Sequence, residues 1–437
     1  MPTRTPALAA LLLSLLSGAR AAASDGVTFG GHVKGFLFQQ VADPFHLDRA
    51  GSRLQLAAWG GLGEPAEYYA AVDFELDSRL LQGGESVLRG EGFDIYPVEV
   101  YLNLSKGPFE LRLGQQFIFW GRVDWVTITD VITAWDFANM ASEIEDYRLA
   151  PLAARLNWYI LDELMLDLVW LPIFGPNRIP STTPGNLGGV PVSEMPPDLP
   201  EHHPRNGEFG IRLSHSVSSW ALDWAICAYK GFEKSPAFVA EPVLAEPPAP
   251  PVPTGFSWTR RYDPLWMVGV DFSKAIGSFV IKGEAALKLT DDSSGADPMV
   301  RNSRADYALG LTYTWSEDLS IGAQYVSHYL IDYGRKKERL ALNSLYGAPP
   351  DFVAKAWTHQ TFLMVTAGFL DDFGTQVLGL YDASYRDFFV LGFVWWDIAD
   401  GLKLFVGGVG FGGENDTTPF GRQTDSSRAF VELKYSF

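Results

Sequence analysis

Arg428-Ala-Phe-Val-Glu-Leu-Lys-Tyr-Ser-Phe437 closes the chain, and its reading decides the rest. Ala429, Val431, Leu433, Tyr435 and Phe437 fall on one face; Arg428, Phe430, Glu432, Lys434 and Ser436 fall on the other. Alternation with a period of two is the pattern of a strand with one apolar and one polar side. The last strand of a soluble sandwich would alternate in the same way, so the stretch gains its meaning from what precedes it.

Upstream the same rhythm recurs. Expected strands cover 27–41, 53–59, 67–76, 95–104, 109–119, 152–160, 164–171, 209–217, 220–229, 266–272, 279–289, 307–315, 319–329, 360–370, 375–381, 389–396, 402–410 and 428–437. That is about eighteen strands, or sixteen if two weak ones merge into loops; about ten residues is what a tilted strand needs to cross a bilayer. Along 279–289, Phe279, Ile281, Ala285, Leu287 and Leu289 alternate with Lys282, Glu284 and Lys288. Along 307–315, the outward set Tyr307, Leu309, Leu311, Tyr313 and Trp315 carries aromatics at both ends, as amphipathic rings at two membrane interfaces would. Alternate connections are tight turns, such as 105–108 and 316–318. The intervening ones are long: 42–51, 77–92, 121–151, 172–206, 231–262, 290–304, 331–357 and 412–427, with only 384–387 short. Two of these, at 191–204 and 241–253, are proline-rich and expected to be extended, poorly packed surface loops.

Composition narrows the class. Arg4, an apolar run over 7–16 and Ala19-Arg20-Ala21-Ala22-Ala23 form the three regions of a secretory signal, with cleavage expected after Ala23, or after Ala21 as second choice. Residues 24–437 are then one domain. No run of about twenty apolar residues follows, so no transmembrane helix is expected. Aromatics at 14% are abundant, as interfacial girdles require, and a net charge of -18 argues against nucleic acid as a partner. The one cysteine, Cys227, excludes a disulfide framework and a multi-cysteine metal site, and its default role is packing.

The terminal strand ending on Phe437 resembles the closing strand of bacterial outer-membrane β-barrels. The resemblance implies an all-β, antiparallel, up-and-down transmembrane barrel with short periplasmic turns and long extracellular loops. It implies outer-membrane lipid and lipopolysaccharide as surroundings, and a barrel-insertion machinery that reads Phe437. A second stretch, Gly114-Gln-Gln-Phe-Ile-Phe-Trp-Gly-Arg-Val-Asp124 followed by Ala134-Trp-Asp-Phe137, resembles uncharacterised porin-like barrels with a Trp-Gly-Arg-x-Asp element. It lacks the Asn-Pro of their following segment. It is also similar to alginate-export barrels, whose narrow pores are lined by acidic and basic residues.

The connection 121–151 is too long for a simple hairpin. It sets Arg122 and Arg148 against Asp124, Asp130, Asp136, Glu143, Glu145 and Asp146, and 135–147 is compatible with a short helix. Folded into a lumen, it would narrow the passage with fixed charges; folded outward, it would be held by its own ion pairs. Parity turns Asp73, Glu75, Glu99, Glu110, Arg112, Arg155, Asp167, Arg212, Asp223, Lys282, Glu284 and Lys288 to the inside, where charge is tolerated. The candidate pore-lining set is Glu110, Arg112, Arg122, Asp124, Asp130, Asp136, Arg148, Arg155, Lys282, Glu284 and Lys288. No Gly-x-Ser-x-Gly elbow appears. His202-His203 sits in a proline-bracketed loop, and 291–297 lacks the spacing and terminal Glu of an EF-hand. No cofactor or metal is expected. The expected function is a passive porin-like channel for a small solute. The alternatives are export of a polysaccharide, uptake of an apolar compound through the wall, or an enzyme or adhesin on the same barrel. Monomer and homo-oligomer both remain open.

Overall fold

The first and last strands meet. In the computed structural model, Val27–Gln40 (β1) and Arg428–Ser436 (β18) pair antiparallel, His32 opposite Ser436 and Gln40 opposite Arg428. Gly31 and Phe437 exchange backbone hydrogen bonds of 3.1 and 3.0 Å. The described residues are 26–41, 45–78, 93–137, 143, 147–179, 186–187, 190–244, 253–297, 300–334 and 355–437. The expected signal peptide lies outside them, as do Glu145 and Asp146.

Between the ends run His46–Gly61 (β2), Ala66–Asp77 (β3), Phe93–Lys106 (β4), Phe109–Gln115 (β5), Leu152–Leu161 (β6), Leu164–Leu171 (β7), Glu208–Val217 (β8) and Leu222–Phe232 (β9). They are followed by Pro264–Ile276 (β10), Phe279–Thr290 (β11), Arg304–Thr314 (β12), Leu319–Leu330 (β13), Trp357–Phe369 (β14), Phe373–Asp382 (β15), Asp387–Ala399 (β16) and Leu402–Gly413 (β17). Each pairs antiparallel with its sequence neighbours, and β1 with both β2 and β18, so the 18-stranded sheet closes on itself. Closure leaves no edge, which is how an all-β wall satisfies its backbone in lipid.

Parity then fixes the two faces. On β10, Trp266, Val268, Val270 and Phe272 are exposed on the outer surface while Leu265, Met267 and Asp271 are buried inside. Outer rings collect at both ends of the strands. Phe109 stacks on Trp158 at 5.8 Å and Phe373 on Trp396 at 5.4 Å near the tight turns. Tyr329 meets Trp357 at 6.0 Å near the long loops. Inside, carboxylates and cations pair across strands. Arg49 donates to Asp77 at 2.5 Å and to Glu75 at 2.6 Å, and Arg212 to Asp271 at 2.7 Å.

One arc departs from the expected wet interior. On β1 and β14–β18 much of the inner face is apolar: Phe36, Phe38, Phe362, Leu380, Phe389, Leu391, Phe393, Phe405, Phe411 and Phe430 are buried beside charges such as Lys34, Asp382 and Glu432. They pack on one another, Phe38 on Phe430 at 5.6 Å, Phe389 on Phe411 at 5.4 Å and Phe393 on Phe405 at 5.9 Å. Burying each ring is worth roughly 1.5–3 kcal/mol, enough to favour a dry packed arc over a hydrated one.

Four features differ most from expectation. β2 begins at His46, so the connection expected over 42–51 is shorter. β5 stops at Gln115, not 119. The helix compatible with 135–147 does not start at Trp135: Ala134–Trp135 pairs with Arg148–Leu149 as a two-strand ribbon. The proline-rich connections are not simply open loops. Val190–Glu194 runs parallel to Pro253–Arg261, which pairs with Ala237–Leu244, in a four-stranded sheet separate from the barrel.

Candidate functional site: a loop seated against the inner wall

The chain leaves the sheet at a glycine. Gly114 has φ +132, and a Cβ there would sit 2.2 Å from the Val100 carbonyl, so only glycine fits against β4 as β5 ends. Gln116, fully buried, fills the break: its Nε2 reaches the carbonyls of Arg112 at 3.2 Å and Ala153 at 3.3 Å. From there Ile118 and Trp120 point inward and are buried. Trp120 donates its indole N–H to Asp167 at 3.1 Å, and Arg155 grips the same carboxylate with two bonds of 3.0 and 2.9 Å.

Glu284, on the inner face of β11, holds the next turn. Its Oε1 accepts from the backbone N–H of Arg122 at 2.5 Å and Val123 at 2.9 Å. Its Oε2 accepts from the N–H groups of Ile128 at 2.7 Å and Thr129 at 3.0 Å, and from the Thr129 hydroxyl at 3.1 Å. A carboxylate with this donor set is satisfied in full, and charge-assisted bonds are about twice as strong as neutral ones. Beside it, Gln324 on β13 accepts from Trp125 N–H at 3.1 Å and donates to the Val126 carbonyl at 2.9 Å. Arg122 donates to Asp271 at 2.8 Å and lies 3.6 Å from Asp223. Asp124 takes a short bond from Lys282 and one of 3.2 Å from the Thr312 hydroxyl.

The wall makes room for the loop with inward-facing glycines. A Cβ at Gly210 would meet the Trp120 ring at 2.6 Å, and one at Gly322 the Trp125 ring at 2.8 Å. Across the lumen Glu143 binds Lys34 at 2.6 Å and Lys434 at 2.8 Å, tying the far part of the loop to the β1–β18 seam. Burial pushes the Glu143 carboxyl up, but Lys34 and Lys434 outweigh it and hold it below its ordinary value. Burial pushes Asp130 up to about 6, against Arg148, which bonds it at 2.6 Å and covers the Trp135 ring at 3.5 Å.

The predicted residues therefore separate into groups. Arg122, Asp124, Lys282 and Glu284 converge on one part of the inner wall. Asp130 and Arg148 form a pair, Asp136 meets Arg178 at 3.4 Å, and Arg155 braces Asp167. Glu110 and Arg112 pair at 3.2 Å near a tight turn, and Lys288 meets Asp306 at 3.1 Å toward the long loops. Sequence reasoning passed over Asp271, Gln324, Lys34 and Lys434 as site residues. Parity places the first two on the inner face, but nothing local marks them as partners of a loop some 150 to 200 residues away.

The closed 18-stranded antiparallel barrel is a fold shared with outer-membrane porins. Two solved structures share it. OccAB4 of Acinetobacter baumannii matches with a TM-score of 0.55 at 10% identity, over 95% of this chain and 98% of that one. OpdK of Pseudomonas aeruginosa, solved with vanillate, matches at 0.54 and 9% identity, over 94% and 98%. The family profile described as "Protein of unknown function (DUF1302)" matches residues 84–298. No curated protein matches the chain.

Proposed function

We propose that the chain is a passive channel of the bacterial outer membrane, whose lumen is narrowed by the described part of the loop after Trp120, residues 121–137, 143 and 147–151. Solutes cross by diffusion past fixed charges, with no bond made or broken. The observation that carries this reading is Glu284: five donors from residues 122–129 converge on one wall carboxylate. The site set of this channel is Arg122, Asp124, Lys282 and Glu284, with Asp271 and Asp223 beside Arg122. Arg122, Asp124 and Lys282 keep partial exposure, so a passing ion meets them at close quarters, where charge rings set preference.

The purified protein in a planar bilayer tests it. Glu284→Ala removes the acceptor and leaves buried N–H groups unpaired, at a cost of about 1–3 kcal/mol each. The expected result is a larger and noisier single-channel conductance than that of the unchanged protein. No ion flux through the unchanged protein, or identical traces from both, would sink the reading.

A further inference from the structure

Among the described residues, the strand ladder beside β4 is incomplete. β4 spans fourteen residues and pairs with β3 along its length, from Ala66 opposite Leu104 to Leu76 opposite Phe93. On its other side it pairs with β5 only over 100–106. β5 has seven residues, about 24 Å of strand, which at a tilt of about 40° rises about 18 Å, short of an apolar band about 25 Å tall. Among the described residues, no strand continues the ladder along 93–99 on that side. Pro97, which has no N–H to offer a partner, lies in this half.

What closes the gap is the loop itself. Residues 116–120 follow β5 without strand pairing, Ile118 and Trp120 buried and Phe117 and Phe119 stacked on each other. Phe119 is 56% exposed and stacks on Phe117 at 5.8 Å. Above them the ribbon of 134–137 and 147–149, bonded to Arg178, adds Trp135 stacked on Phe137 at 5.9 Å, with Phe137 42% exposed. Among the described residues, side-chain bonds from Glu99 and Gln115 stand at the seam in place of a ladder. Glu99 accepts from Phe117 N–H at 2.8 Å, and Gln115 donates to the Pro97 carbonyl at 3.1 Å.

We propose that this seam, between 93–99 of β4 and 116–120, is a lateral portal through which an uncharged apolar molecule passes between the lumen and the surrounding lipid. The occupant follows from the lining. Phe119 and Phe137 are exposed aromatics with Phe117 stacked beside them, so a molecule in contact with acyl chains reaches them without crossing water; Trp135 packs on the buried core beneath the Arg148 guanidinium, which also lies 5.1 Å from the Phe119 ring. Separating the seam breaks these side-chain bonds, whereas separating any other pair of barrel strands breaks a ladder. The proposal shares the membrane setting of the channel reading but not its dependence on ion flow.

Uptake of N-phenyl-1-naphthylamine across the outer membrane of cells producing the full chain is the test, with planar-bilayer conductance measured in parallel. The chain should accelerate dye entry severalfold over cells lacking it. Phe117→Asp with Phe119→Asp should abolish that gain while conductance stays within twofold. Glu99→Ala, which unties the seam without charging it, should raise dye entry instead, so a failure of the double variant to assemble does not leave the matter open. No acceleration by the unchanged chain, full uptake by the double variant, or lowered or unchanged entry with Glu99→Ala would each overturn the portal. Dye entry with this pattern but without ion conductance would retain the portal and refute the channel.

Discussion

Glu284 and Gln324 show how single inner-wall side chains act at a distance in sequence. Each is one polar residue in an alternating strand, and each accepts N–H groups from a loop that arrives 155 to 199 residues earlier. The inward-facing glycines work by absence. At Gly322 the Trp125 ring occupies the space a side chain would need. Gly322→Leu forces the indole out, and overpacking of this kind costs about 1–3 kcal/mol. The expected outcome is a barrel with unchanged strand content by circular dichroism, a wider single-channel conductance and blue-shifted tryptophan emission lost from the Trp125 environment. Conductance equal to that of the unchanged protein would mean the ring is not a fastener. At this scale the charges of the loop and of β11 were legible in the sequence, because alternation sorts inward from outward. Their partners were not, because a register of eighteen strands decides which inner residue meets which loop residue.

The loop is an element with two ends fastened by groups of opposite pH response. Asp130, raised to about 6 by burial, binds its proton more tightly with the loop seated than with it released. Seating therefore strengthens as pH falls from 7 through 6. Glu143 is displaced the other way: burial raises it, Lys34 and Lys434 lower it further, and the net is below its ordinary value. Its contribution is present above the ordinary glutamate pKa of about 4.3 and is lost as pH falls through the lowered one. Single-channel noise should therefore diminish on acidification from pH 7 to about 5 and return in stronger acid. Lys434→Met should move that return to higher pH; an unmoved acid limb would exclude Glu143 as the tether. The early end of β5 was hidden for a related reason. Phe117-Ile-Phe-Trp120 is an apolar run that reads as more of the same strand, and only the φ of Gly114 and the buried amide of Gln116 reveal that pairing has stopped.

For the molecule as a whole, alternation and the long–short rhythm of connections carried the barrel, its strand number and its closure. They did not carry the dry arc of β1 and β14–β18, because a strand apolar on both faces, such as Phe388-Phe-Val-Leu-Gly-Phe-Val394, shows where lipid is but not what stands inside. Closure itself gives the last prediction. Phe437 exchanges two backbone bonds with Gly31, and its ring lies 6.3 Å from that of Tyr435. Loss of two bonds in a ladder that otherwise pairs 32–40 with 428–436 costs about 1–3 kcal/mol, too little to unmake a closed wall. We propose that a barrel-insertion machinery reads Phe437, and such a machinery would feel a far larger loss. Deleting Phe437 should therefore leave refolding into detergent micelles nearly intact, judged by the heat-modifiable mobility of the barrel on gels, while the assembled fraction in cells falls at least fivefold. Equal losses in both settings would assign the residue to the wall alone, and no loss in cells would remove it from recognition.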